Sequence, residues 1–129
     1  MVDLNDFKTV NDRYGHAVGD SILQTMARRL VDALRASDTV ARLGGDEFVL
    51  IVESFEHPQE LVHMGQKLME TLSLPVHLNS GAVVNTGASI GGAIYPNDGV
   101  DMNDLLFVAD KAMYQCKSTG VMPMPMSLS

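Results

Sequence analysis

With 129 residues, 46% of them hydrophobic, the chain has material for one hydrophobic core and too little for two. A formal charge of −7, from 16 acidic against 9 basic side chains, excludes a general grip on a nucleic-acid backbone, which needs clustered Lys and Arg. The lone cysteine, Cys116, can form no internal disulfide, which fits a reducing cytoplasm, and no apolar run approaches the roughly 20 residues of a membrane span, so no membrane contact by this chain is expected.

Residues 1–4 read as the end of a strand, because apolar residues run straight into an acidic, Asn-rich turn. Residues 6–14 predict a short helix stopped by Gly15. Asp20 is then expected to cap a longer helix whose Ile22, Leu23, Met26, Ala27, Leu30, Val31 and Leu34 recur at spacings of three and four. Short β-prone runs at 39–43 and 47–52 flank Gly44-Gly45-Asp46, a hairpin with glycines where positive φ is needed. The stretch 48–52 is apolar without alternation, which predicts a central strand buried on both faces. Pro58 opens a third helix carrying Leu61, Val62, Leu68, Met69 and Leu72 on one side.

Residues 75–95 predict a hairpin turning at Asn79-Ser80-Gly81 and a following strand over 88–95, closed by the turn Pro96-Asn97-Asp98-Gly99. Asp101, with Asp104 three residues on, predicts the capped start of a last helix bearing Leu105, Leu106, Ala109, Ala112, Met113 and Cys116 and stopped by Gly120. Alternating prolines beyond it exclude a central strand, so 121–129 reads as a disordered tail. Helices alternating with mostly antiparallel strands make a two-layer α/β sandwich of the α+β kind.

The chemistry concentrates in Arg42-Leu43-Gly44-Gly45-Asp46-Glu47-Phe48. Two carboxylates on a tight turn offer hard oxygen ligands to a divalent cation, and Gly44 and Gly45 let phosphate approach the backbone. An Asp-Glu pair in a turn is more often a solvated loop. A second acidic segment changes the balance: Asp3-Leu4-Asn5-Asp6-Phe7-Lys8, followed by Asn11-Asp12, Gly15-His16 and Gly19-Asp20. The four histidines show neither ligand spacing nor a nucleophile partner and receive no role.

In order and spacing these segments resemble the GGDEF family, the diguanylate cyclases. The likeness resumes at Ala88-Ser89-Ile90-Gly91, Tyr95-Pro96, Asp98-Gly99 and Ala109-Asp110-Lys111-Ala112-Met113-Tyr114, with Lys117 after it. The resemblance implies a palm-like nucleotidyl cyclase fold with a mainly antiparallel central sheet flanked by helices. It also implies condensation of two GTP into cyclic di-GMP with release of pyrophosphate. That reaction needs a homodimer, since each domain holds one GTP and supplies half the site.

By the same resemblance, Asp3, Asp46, Glu47 and the Leu4 carbonyl hold Mg²⁺ or Mn²⁺, with Asp46 and Glu47 in the catalytic role. Phe7, Lys8, Gly44, Gly45 and Lys117 surround the phosphates, and Asn11 and Asp20 read guanine through its acceptors and donors. Arg35 and Asp38 match the family's inhibitory Arg-x-x-Asp site for cyclic di-GMP, although such a pair is also a common local salt bridge. The competing readings are a non-catalytic GGDEF module that binds GTP or cyclic di-GMP, and another nucleotidyl cyclase or polymerase palm, which Asn11 and Asp20 disfavour.

Two departures from the family pattern stand out. The Asp-x-Leu-Thr-x-Leu-x-Asn-Arg segment, a helix and most of the first strand would precede Met1, so residues 1–120 are expected to form a GGDEF domain lacking that beginning. Val121 stands where the family has Arg, a charge-assisted phosphate contact worth roughly 1.5–3 kcal/mol. A cytoplasmic location is expected, as is a larger parent protein with sensory, membrane or phosphodiesterase domains.

Overall fold

The computed structural model describes residues 1–53 and 55–123. Its central sheet has the order β2-β3-β1-β6 and is antiparallel throughout: β1 (Val2–Leu4) pairs with β3 (Glu47–Ile51) on one side and β6 (Ala88–Ile90) on the other, and β2 (Thr39–Gly44) pairs with β3. Val2 stands opposite Phe48 and Ile90, while Asp3 stands opposite Glu47 and Ser89. Paired residues share a sheet face, so the apolar trio and the polar trio lie on opposite faces.

The apolar face carries the main core. Ile22, Met26 and Leu30 of α2 (His16–Ala33) and Leu68 and Leu72 of α3 (Gln59–Leu72) bury against Val2, Leu4, Phe48 and Ile90, with Phe7 and Val10 of α1 (Phe7–Tyr14) closing one end. A separate hairpin, β4 (Val76–His77) and β5 (Val83–Val84), turns over Gly81 at φ 90° as anticipated and contributes Val76 and Val84. The last helix, α4 (Met102–Thr119), lies against β6. Its ends follow the sequence: Asp104 N–H donates to Asp101 Oδ1 at 2.8 Å, and Gly120 takes the left-handed conformation at φ 76°.

Several expectations need correction. The second helix begins at His16 behind Gly15, so Asp20 sits inside it and caps nothing. Val31 leaves the predicted stripe and is 54% exposed. β3 is not buried on both faces, since Ile51 is 44% exposed and Val49 only half-buried, because the helices here cover the Phe48 side alone. β6 stops at Ile90, well short of residue 95, although Gly91 still exchanges backbone hydrogen bonds with Met1 at 3.0 and 2.9 Å. The tail drawn from 121 returns to the core one residue in: Val121 is exposed, but Met122 is buried in the space above Gly65, which a side chain at that glycine would fill. The remainder of that expected tail, 124–129, lies outside the described residues.

Candidate active site

The site forms where β1 gives way to α1. Leu4 N–H donates to the Asp46 carbonyl at 3.1 Å, tying the turn between β2 and β3 to the end of β1. That turn owes its shape to Gly44 at φ 147° and Gly45 at φ 52°, and Arg42 Nε donates to the Gly45 carbonyl at 2.9 Å. The register then sets Asp3 beside Glu47, with Asp46 at the turn above them.

Asp3 is 5% exposed. One of its carboxylate oxygens accepts from the Lys117 ammonium of α4, and the other, Oδ1, is buried without a hydrogen-bond partner. Burial first, then the charge of Asp3, pushes the Asp46 carboxyl above its ordinary range; a proton on Asp46 would let it donate to Asp3, which adds to the rise. Glu47 is raised by burial and by the charges of Asp3, Asp110 and Asp46. Lys117 is raised chiefly by its hydrogen bond to Asp3, against the opposing pull of burial.

This donor set suits a hard divalent cation, because a buried carboxylate oxygen without a donor and two neighbouring carboxyl groups under mutual repulsion are both relieved by positive charge. Among the described residues no three ligating side chains are gathered into a ready cage. Mg²⁺ commonly takes one or two carboxylates and completes its shell with water and substrate phosphate, so a cage is not required.

Beside the acidic tip, α2 faces β2 and β3 across a cavity of about 430 Å³ lined by Asp20, Leu23, Gln24, Ala27, Arg42 and Phe48, among others. Asn11 of α1 reaches this end of α2 because Gly19 has no side chain: a Cβ there would lie 1.8 Å from Asn11 Oδ1. Asn11 and Asp20 are thus brought to neighbouring positions from two helices. Phe7 and Lys8 occupy the first turn of α1, the former buried and the latter exposed.

Arg35 and Asp38 lie apart from this cleft, in the loop between α2 and β2. Asp38 Oδ2 accepts from the Arg35 backbone N–H at 3.0 Å, and Oδ1 accepts from Glu53 N–H at 3.2 Å; Arg35 Nη2 donates to the Glu53 carbonyl at 2.7 Å. Burial would raise the Asp38 carboxyl, but these hydrogen bonds and the Arg35 charge outweigh it and hold the group below its ordinary value. The pair is therefore engaged both in closing its own turn and in tying that turn to Glu53, just beyond β3.

A polar network under β1 carried no role in the reading of the residues. The Ser89 hydroxyl, on a residue only 1% exposed, donates to Asn5 Oδ1 at 2.8 Å. Asn5 N–H donates to the Gly87 carbonyl at 2.8 Å, and Thr86 Oγ1 donates to the Asn5 carbonyl at 3.2 Å. Asn5, Thr86 and Ser89 together fix the chain just beyond Asp3 and Leu4. The period-two alternation that points Ser89 to the Asp3 face was the available signal.

A family model described as "Diguanylate cyclase, GGDEF domain" matches residues 1–123. The chain belongs to the GGDEF family. This GGDEF domain is 46% identical over 120 residues to the bifunctional diguanylate cyclase/cyclic di-GMP phosphodiesterase MucR of Pseudomonas aeruginosa, covering 93% of this chain and 17% of MucR. It is 39% identical over 117 residues to the diguanylate cyclase TpbB of the same species, covering 91% of this chain and 27% of TpbB. The domain therefore spans about a quarter or less of these relatives. The solved GGDEF domain of TpbB superposes with a TM-score of 0.88 at 37% identity, over 94% of this chain and 70% of that one. The GGDEF domain of DgcB from Caulobacter crescentus, solved in complex with c-di-GMP, shares the fold at a TM-score of 0.82 and 23% identity, over 99% and 75% of the two chains. The palm-like architecture expected from the sequence is thus the one observed. Among the described residues no helix is long and apolar enough to cross a membrane.

Proposed function

We propose that this GGDEF domain condenses two GTP molecules into cyclic di-GMP, releasing two pyrophosphates, as a homodimer in the cytoplasm. The observation that carries the reading is the convergence of Asp46 and Glu47 on the buried Asp3 carboxylate, with Lys117 on the same group. Asp3, Asp46 and the Leu4 carbonyl would hold Mg²⁺ or Mn²⁺, with Glu47 in support. When bound, the metal would offset charge on the phosphates as pyrophosphate leaves. Asp46, at the turn beside the site, would also be the residue to accept the proton of the attacking 3′-hydroxyl. Asn11 and Asp20 accept and donate at the guanine edge, while Lys8, Lys117 and the backbone at Phe7, Gly44 and Gly45 bind phosphate. Arg35 and Asp38 serve as the product-inhibition site once cyclic di-GMP competes with the Glu53 contacts.

Incubation of the protein with GTP and Mg²⁺, followed by chromatographic separation of nucleotides, tests this. Cyclic di-GMP is expected from the wild type and none from Asp46→Ala. A folded, dimeric wild type that yields none would refute the reading. The engagement of Asp3 by Lys117 favours one alternative, a module that binds GTP or cyclic di-GMP without turnover; calorimetry would then register binding where no product forms.

A further inference from the structure

Asp3 and Lys117 are 114 residues apart in the chain, on β1 and α4, yet their side chains form an ion pair at the centre of the acidic cluster. The carboxylate is nine-tenths buried and its second oxygen has no donor, so it cannot be left without a positive partner except at a cost of several kcal/mol. Asp46 and Glu47 add negative charge around it. The ammonium thus stands on the oxygen atoms that the proposed metal site needs. Its own side chain is about a third exposed, and the exposed Tyr114 ring lies 5.5 Å from it, so a route for withdrawal towards solvent is open.

We propose that Lys117 is a placeholder cation: without nucleotide it occupies Asp3, and the metal that enters with GTP displaces it towards the incoming phosphates. This rests on the reading of Asp3 as a metal ligand. The exchange keeps the buried carboxylate neutralised in both states, and it makes metal alone a poor ligand. Metal together with triphosphate binds well, because the phosphates give the released ammonium a new anionic partner. Metal and GTP therefore bind with positive coupling, each easing the entry of the other.

The test is a titration with Mn²⁺ alone, followed by electron paramagnetic resonance, on the wild type, Lys117→Met, Lys117→Gln and Asp3→Asn. Lys117→Gln keeps a neutral donor to Asp3 and guards against a Met variant that fails to fold. Removing the ammonium is expected to tighten Mn²⁺ binding in the absence of nucleotide by about tenfold or more, the scale of a charge-assisted contact. Asp3→Asn should abolish that binding. A lysine that serves phosphate alone would leave Mn²⁺ affinity unchanged; this outcome, with binding still dependent on Asp3, overturns the placeholder and spares the metal site. If no variant shows Asp3-dependent Mn²⁺ binding, even with a non-hydrolysable GTP analogue, the metal reading and the placeholder both fail.

Discussion

Gly91→Ala offers a sharp perturbation of the frame that holds Lys117 against Asp3. A Cβ at Gly91 would lie 2.2 Å from the Met113 nitrogen, 2.3 Å from the Ala109 carbonyl oxygen and 2.7 Å from the Ala112 carbonyl carbon. All three are backbone atoms of α4, so no side chain can rotate away. Restoring ordinary contact requires the helix to retreat from β6 by roughly 1 Å, the kind of overpacking that costs typically 1–3 kcal/mol. Backbone on every side argues for the upper end, about 3 kcal/mol, less the few tenths of a kcal/mol that Ala returns by restricting the unfolded chain. For a domain of this size that lowers the melting temperature by about 10 °C. Gly92→Ala is the control, since its Cβ would meet only the ends of Leu61 at 3.1 Å and Met122 at 3.4 Å. Its loss is expected to stay below about 1 kcal/mol, because flexible side chains can yield. Thermal and guanidinium unfolding of the two variants decides the matter. Equal stabilities would show that α4 is not seated on Gly91 as described.

Gly19→Ala should displace the Asn11 amide, whose Oδ1 lies 1.8 Å from the added Cβ, and raise the KM for GTP roughly tenfold or more with a smaller effect on stability; steady-state kinetics check this. Asp46→Asn should abolish turnover yet raise the melting temperature of the metal-free protein at neutral pH. The raised Asp46 pKa means that its stabilising contribution is full below the ordinary value of 3.8 and is lost as pH rises through the raised one, so neutralising the group relieves repulsion. Asp38 has the opposite sign: its pKa is lowered, so its contribution is present above 3.8 and lost as pH falls below it, and Asp38→Ala should flatten acid unfolding in that range while abolishing inhibition by cyclic di-GMP. Asp101→Ala, which removes the 2.8 Å cap on Asp104 N–H, should cost about 1 kcal/mol by denaturant unfolding and leave GTP affinity unchanged.

Local chemistry made much of this protein legible without coordinates. Apolar spacing located α2, α3 and α4, the glycines of 44–45 and 81 marked their turns, and the Asp101 cap and Gly120 stop were read correctly, because each is decided by residues within a few positions of one another. The motif order, carried by the resemblance, named Asp3, Asp46, Glu47, Asn11 and Asp20 as candidates. Burial was misjudged where it depended on distant partners. Whether β3 is covered on one face or two turns on where the helices pack, and Met122 enters the core only because Gly65 leaves it room. The same limit governed the site. The resemblance placed Lys117 at the phosphates and Asp3 at the metal but did not pair them with each other, and nothing along the chain relates Ser89 to Asn5; antiparallel pairing of β1 with β6 and the close seating of α4 on Gly91 bring them together. Short-range conformational preference thus specifies the elements and the kinds of donor they carry. Which charges share a buried oxygen is decided by packing alone, since electrostatic neutralisation acts through space between segments that the sequence separates by most of its length.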